Sequence, residues 1–472
     1  NRVLMVDDIS SQFNSHPRPT AYSIVDSFPL SEMRSRKLIM YVQDQRYTAE
    51  RQLMLVDLIH DNSQGYINQY GRVETSYDQG SFDFKVYGND GEILFYPTKS
   101  SVNDYWITSL SYNLDDNILG VGTTSIGSSC AETLIQTDST SVPSGTTTTV
   151  VSIADTYSSA KILVEVTPDI SMNDNEFEFI ELNIVHNGSD VEMLEYGQLT
   201  TNTGGFVSSG YGTYYPYLDS SLLKVDFIPN AGIGTTAAVN TITVGLSSVF
   251  NGTSGVGTVQ FKHSRLETKA TSISASGSPT QNVVCEYEDD YDAAYFIAQV
   301  RDLTNSEYQL CEFAIVDNYD QDDGSGDTYD VEWANIETSS GLGTFGSRIT
   351  GAGVGIGATV ELVFTPNPSI ATEVLIFMNA LKYEDDATQE IDFNNGTIRS
   401  GFGDYTGTDS DIKRAFNLTH DNEPIFERYF TGNDSSIVNV SDNTINIPNH
   451  FYLSGEKIQY KHVGTATSAV GI

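Results

Sequence analysis

The 472 residues include 63 Asp and Glu against 24 Lys and Arg, a formal net charge of −39, and so acidic a surface repels nucleic acid and anionic membrane rather than binding them. That length suits three or four domains instead of one core. The 27 Tyr and 22 Phe supply ample core material. Thr, Ser, Val and Gly crowd the sequence and long helical periodicity is almost absent, so the fold class expected is all-β, as tandem β-sandwich domains.

In chain order, an apolar strand Val3–Val6 and a proline-punctuated stretch to Pro29 come first. A lead-in strand, AYSIVDS (Ala21–Ser27), is followed by KLIMYVQ from Lys37. LMLVDLIHDNSQGYINQYGRVETS (Leu53–Ser76) then alternates with a period of two, breaks at a polar turn and returns through an aromatic–glycine pair, Tyr70-Gly71, which marks a β-hairpin. Gly80/Phe82, an apolar strand ending at Pro97 and a closing strand YWITSLSY complete the unit.

The same landmarks return twice in the same order. The second set has VVSIADT, KILVEVT from Lys161, the hairpin FIELNIVHNGSDVEMLEYGQLTT (Phe179–Thr201), Gly205/Phe206, VDFIP to Pro229 and NTITVGLS. The third has VVCEYED, YFIAQVR from Tyr295, LCEFAIVDNYDQDDGSGDTYDVEWANIETS (Leu310–Ser339), Gly343/Phe345, LVFTP to Pro366 and EVLIFMNAL. Asn187-Gly188 is expected to form a tight hairpin turn, because both residues tolerate positive φ. The hairpin aromatics Tyr70, Tyr196 and Trp333 recur about 130 residues apart, the signature of an internal repeat. Between the sets lie Gly/Ser/Thr-rich connectors (Gly120–Cys130 with Asp138–Thr149, and Asn251–Phe261 with Ser272–Pro279) whose β-formers predict ordered crossings. The domains expected are 1–135, an N-terminal arm and first repeat; 136–270, the second repeat; 271–385, the third; and 386–472, a smaller C-terminal β module with turns at Asp442-Asn443 and Ser454-Gly455. A start at Asn1 and a stop in mid-pattern suggest a segment of a longer or processed polypeptide.

Few motifs carry chemistry. Gly341–Gly346 matches GxGxxG, but strand and glycine follow where a dinucleotide site needs a helix, so it is a structural turn. The loop Asp317–Asp330 is a weak Ca²⁺ candidate through Asp320, Asp322, Asp323 and Asp327. Its spacing is not that of an EF-hand and it replaces a plain turn in the second set, so it is expected to be a solvated tip, metal-free or weakly occupied. His60 and His186 hold matching positions before their turns, with Asp317 third, and are expected to be polar turn residues. Cys130, Cys285 and Cys311 lack zinc spacing; buried free thiols are expected, although Cys285 and Cys311 lie on strands of one repeat and a bridge between them is conceivable. Six Asn-x-Ser/Thr sequons match chance in so Asn-, Ser- and Thr-rich a chain. No HExxH, GxSxG or distinct carboxylate pair is present, so no catalytic residue and no cofactor is nominated. Tyr211, Tyr214, Tyr215 and Tyr217 form a cluster expected to be exposed, an interface candidate.

VDDISSQFN near the start, the units built like FIELNIVHNGSDVEMLEYGQLTT, and the tail AFNLTHDNEPIFERYF…NTINIPNHFYLSGEKIQY together resemble large virion structural proteins of marine tailed phages, notably cyanophage myoviruses. The resemblance covers nearly the whole chain and departs from its pattern in the third set, at Asp317, Trp333 and Ala334. It implies a non-enzymatic building block of a tail, baseplate, neck or attached fibre, located in the virion. Its partners would be copies of itself, other virion proteins and a host surface receptor. Two other classes compete: an acidic bacterial surface adhesin or surface-layer protein, which a secretion signal, wall anchor or strong Ca²⁺ dependence would favour, and a carbohydrate-active enzyme stacking sugar on the tyrosines.

Overall fold

A computed structural model describes residues 23–403 apart from several internal segments, the longest of them 202–209, together with 438–439 and 444–445. Among the described residues there is no helix. The first unit comprises β1 (Ser23–Pro29), β2 (Ser35–Asp44), β3 (Arg51–His60), β4 (Gly65–Glu74), β5 (Gly80–Tyr87), β6 (Asp90–Pro97) and β7 (Tyr105–Leu114). A connecting pair follows, β8 (Val121–Ser125) and β9 (Thr133–Pro143). The second unit has β10 (Thr148–Ala154), β11 (Tyr157–Pro168), β12 (Glu178–His186), β13 (Val191–Thr200), β14 (Gly212–Asp219), β15 (Leu222–Pro229) and β16 (Thr236–Ser247). Next come β17 (Val256–Gln260) and β18 (Ser264–Ile273). The third unit has β19 (Asn282–Glu288), β20 (Ala293–Asp302), β21 (Tyr308–Asp317), β22 (Thr328–Glu337), β23 (Gly343–Thr350), β24 (Thr359–Pro366) and β25 (Thr372–Leu381). Last are β26 (Gln389–Phe393), β27 (Gly396–Gly403) and the two-residue strands β28 (Val438–Asn439) and β29 (Thr444–Ile445).

Among the described strands every pairing is antiparallel, and the three units share one strand order. Their six-stranded sheets run β4-β3-β2-β7-β27-β26, β13-β12-β11-β16-β9-β8 and β22-β21-β20-β25-β18-β17. Their three-stranded sheets run β1-β6-β5, β10-β15-β14 and β19-β24-β23. The lead-in strands share a one-residue register shift, between Ile24 and Asp26, Thr149 and Val151, and Val283 and Cys285.

Each small sheet packs on one face of its large sheet. Along β2, Leu38, Met40 and Val42 enter that outer core while Ile39 and Tyr41 point the other way. Ile162, Val164 and Val166 on β11, and Phe296, Ala298 and Val300 on β20, behave in the same manner. The reverse faces of all three large sheets meet in one further core containing Ile39, Leu163 and Ile297 together. A strand covered on both faces loses its polar alternation, which is why β2, β3, β12 and β21 are buried at every residue. The expected all-β class and two-sheet units are present, and each unit is one wedge of a three-unit body.

The connecting strands are also placed differently. β8–β9, following the first unit, adds to β16 of the second, and β17–β18 adds to β25 of the third. Following the third unit, β26–β27 returns to β7 of the first. Residues 389–403, expected in a separate C-terminal module, thus complete the first unit's large sheet. The expected turns at Asp442-Asn443 and Ser454-Gly455 lie outside the described residues.

Candidate functional site at the meeting of three sheets

The hairpins deliver side chains to the shared core. In each unit the second hairpin strand carries a bulge, opposite Leu53/Leu55, Phe179/Glu181 and Leu310/Glu312. The bulge residue is left-handed: Gly71 at φ 58°, Gly197 at 67° and Ala334 at 50°. The aromatic–glycine landmark is thus a bulge that turns Tyr70, Tyr196 and Trp333 toward the shared core.

Pairing registers align Lys37, Lys161 and Tyr295 as equivalents, and likewise Leu55, Glu181 and Glu312, and Asp57, Asn183 and Ala314. Lys37 Nζ lies 2.8 Å from Glu181 Oε1, so the first unit's cation meets the second unit's anion. Lys161 Nζ lies 2.9 Å from Glu312 Oε1, repeating the pairing between second and third units, and it also contacts Glu181. Tyr70 OH donates to Glu181 and Tyr196 OH to Glu312, each hydroxyl also touching its own unit's lysine. Asn183 Nδ2 and Tyr295 OH donate to Glu312 at 2.9 and 2.6 Å. Between third and first units the same positions hold Tyr295, Trp333 and Leu55; the Trp333 ring stacks on Tyr295 at 6.0 Å and lies against Gly71. At these innermost positions two seams are ionic and the third is aromatic and apolar.

Electrostatics suit a sealed network. Burial pushes the Glu181 carboxyl up, but Lys161 and Lys37 outweigh it and hold the group at about 2. Burial, reinforced by the Glu181 charge, drives Asp57 well above the carboxylate range despite Lys37. Two lysines and two glutamates meet at the centre, with Asp57 Oδ1 3.9 Å from Lys37 Nζ. Burial of such ions costs several kcal/mol each, which the pairing has to offset.

A second ring of contacts surrounds this one. Ser35 Oγ donates to Glu165 and Ser159 Oγ to Gln299, again from each unit to the next. Arg34 lies 3.9 Å over the Phe177 ring between first and second units. At the matching place between third and first units, Arg51 Nη1 lies 2.7 Å from Asp317 Oδ1 and 3.2 Å from Asp292 Oδ1. Burial nevertheless raises the Asp317 carboxyl to about 7, because desolvation exceeds the pull of Arg51.

The nominated residues fall elsewhere or into other roles. His60 and His186 stand at their turns, as expected, and are buried there. Each accepts at Nδ1 from a backbone N–H two residues on, that of Asn62 or Gly188, and Asp317 accepts from Tyr319 N in the same way. The next residue closes the loop: Asp61 Oδ1 accepts from Ser63 N and Gln64 N, and Asn187 Oδ1 from Ser189 N and Asp190 N. The turn is accordingly a four-residue Asx loop over 187–190 with only Gly188 at positive φ, not a two-residue Asn-Gly turn. Of the Ca²⁺ candidates, Asp327 is exposed while Asp320, Asp322 and Asp323 lie outside the described residues; Asp317, which opens that loop, is buried. No group of metal-ligating side chains occurs among the described residues. Cys285 and Cys311 are buried free thiols; Cys130 lies outside the described residues.

The tyrosine cluster divides. Tyr211 and Tyr214 are buried, against the expectation of an exposed patch, whereas Tyr215 is 59% exposed and stacks on Tyr217 at 6.1 Å. Tyr214 packs on Phe227 as Phe82 does on Phe95 and Phe345 on Phe364. The glycine–aromatic landmark of the second unit is therefore Gly212/Tyr214; Gly205/Phe206 lies outside the described residues. Sequence reasoning missed the central lysines and glutamates. The available signal was a lysine opening an otherwise apolar strand in two units of three. No protein-family model matches the chain, and no curated protein matches it.

Proposed function

We propose that this chain is a non-enzymatic structural component of a tailed-phage virion, in the tail, baseplate, neck or an attached fibre, acting through subunit assembly. One observation carries the reading: the buried cluster of ionisable residues, which in an enzyme would serve a reaction, is here spent on joining three sheets to one another. Acid–base chemistry needs substrate within hydrogen-bond reach of such groups, and Lys37, Lys161, Glu181 and Glu312 are sealed from solvent. The sequence resemblance to marine phage virion proteins supplies the setting, and the net charge of −39 suits a saline one. Contacts with other copies, other virion proteins and a host receptor favour outward apolar and aromatic surface over acidic surface. Tyr215 and Tyr217 are such a surface, and the second unit alone has this pair: the matching positions of β5 and β23 hold Asp83 and Lys85, and Gly346 and Arg348.

The test is mass spectrometry and density mapping of purified particles, with the chain expected in several symmetric copies. Absence from particles, combined with polysaccharide cleavage by the purified protein, overturns the proposal. Tyr215→Ser with Tyr217→Ser should leave the unfolding midpoint unchanged while weakening incorporation into particles. Unaltered incorporation removes this pair as the contact.

A further inference from the structure

We propose that the three units recognise one another as subunits of a trimer do, so that the inner face of each large sheet is an interaction surface whose partner is another module of the same fold. The ion pairs across the centre run in one rotational sense. The side bearing Lys37, Lys161 or Tyr295 meets the following unit's side bearing Glu181, Glu312 or Leu55. Ser35 to Glu165 and Ser159 to Gln299 follow the same sense, as do Arg34 on Phe177 and the Asp292–Arg51 pair. The β-hairpins rotate likewise, ending with β26–β27 on the first unit. Rotation that closes after three steps is the geometry of a cyclic trimer.

The side chains also specify order. The second unit bears both a lysine and a glutamate, Lys161 and Glu181, and so suits a neighbour on either side. The first has the cation without the anion (Lys37, Leu55) and the third the anion without the cation (Glu312, Tyr295). The one exchanged order would set Lys37 against Glu312, Tyr295 against Glu181 and Lys161 against Leu55 together, leaving an unpaired anion at one seam and an unpaired cation at another. Mismatch of this kind excludes wrong neighbours more effectively than correct pairing attracts right ones.

Two experiments on the full chain decide it. In the first, protease sites are inserted within 115–120 and 249–255, and the purified folded protein is cut at both. The three pieces should stay together as one 1:1:1 particle in native mass spectrometry, held by the inner faces and by β26–β27; separation on cutting overturns the proposal. In the second, the chemistry of the apolar seam is transplanted to the first ionic one. Lys37→Tyr/Asp57→Ala/Tyr70→Trp alters one side and Glu181→Leu the other. Altering the Lys37 side alone leaves Glu181 and Glu312 against Lys161, and Glu181→Leu alone leaves Lys37 with only the more distant Asp57 at 3.9 Å, so each should lower the folding equilibrium constant by about 10²–10³-fold. The combined variant should recover all but about tenfold of that loss. Additive losses show that the residues act separately and overturn the seam code, whether or not the cut protein holds together.

Discussion

Ala334 occupies a backbone conformation that its two counterparts fill with glycine. At φ 50° an L side chain is crowded, costing roughly 1–2 kcal/mol, while glycine there loses somewhat more chain entropy on folding. Ala334→Gly is therefore expected to stabilise the protein by about 0.5–1 kcal/mol, and Gly197→Ala to destabilise it by more, since its Cβ would also lie 3.0 Å from Asp57 Oδ2. Urea midpoints of the two variants check both signs. Glu178 makes a second residue-scale prediction. Burial raises its carboxyl to about 7, with the Tyr211 N–H opposing at 2.6 Å. A folded-state value above the unfolded one means stability is fully present below about pH 4.5 and declines as pH rises to about 7, on the order of 3 kcal/mol in all. Glu178→Gln should flatten that part of the pH–stability curve, and an unchanged slope would remove Glu178 as its source.

At the scale of elements, the landmarks that survived were those tied to backbone chemistry. The prolines ending β6, β15 and β24 stand at matching places. Opposite them, Gly80, Gly212 and Gly343 have no room for a Cβ: a carbonyl oxygen of the neighbouring strand would lie within 2.4, 2.7 and 2.4 Å. Such positions leave a mark in sequence because no other residue fits. In the second unit the mark was misread, since Gly205-Phe206 and Gly212-Thr-Tyr214 offer similar glycine–aromatic patterns and spacing does not separate them. Strand partners left no mark either. Nothing in GTIRSGFG says that it pairs with a strand nearly three hundred residues earlier, because backbone hydrogen bonds carry no sequence identity. Deleting residues 389–403 should expose the β7 edge and thereby cause concentration-dependent self-association, measurable by light scattering. The same deletion leaves every strand of the second and third large sheets in place.

For the whole molecule, acidity and cohesion are spatially separated. The central ion pairs are sealed, whereas most of the charge excess must lie outward, where salt reaches it. Raising NaCl from about 0.01 to about 1 M shortens the screening length from roughly 30 to 3 Å, so the denaturation midpoint should rise with salt. The coupling between Lys37 and Glu181 should stay the same across that range; a coupling that fades with salt would mean the centre is hydrated. The all-β class and the three unit segments were legible because alternation and aromatic spacing survive in a linear pattern. The shared centre was not, because strands buried on both faces resemble ordinary core strands, and a lysine at a strand start resembles a solvated end.

The return of β26–β27 to the first unit has a consequence for how the chain is made. Synthesis runs from the N-terminus at about 5–20 residues per second, and domains generally fold in that order. The second and third large sheets receive their added hairpins before their own strands emerge. The first cannot be finished until residue 403 leaves the ribosome, some 15–60 seconds after β7 has appeared. During that interval the nascent polypeptide carries an open strand edge on its first unit. What closes it is β27, which follows both other units in the chain, so the first large sheet is completed last of the three.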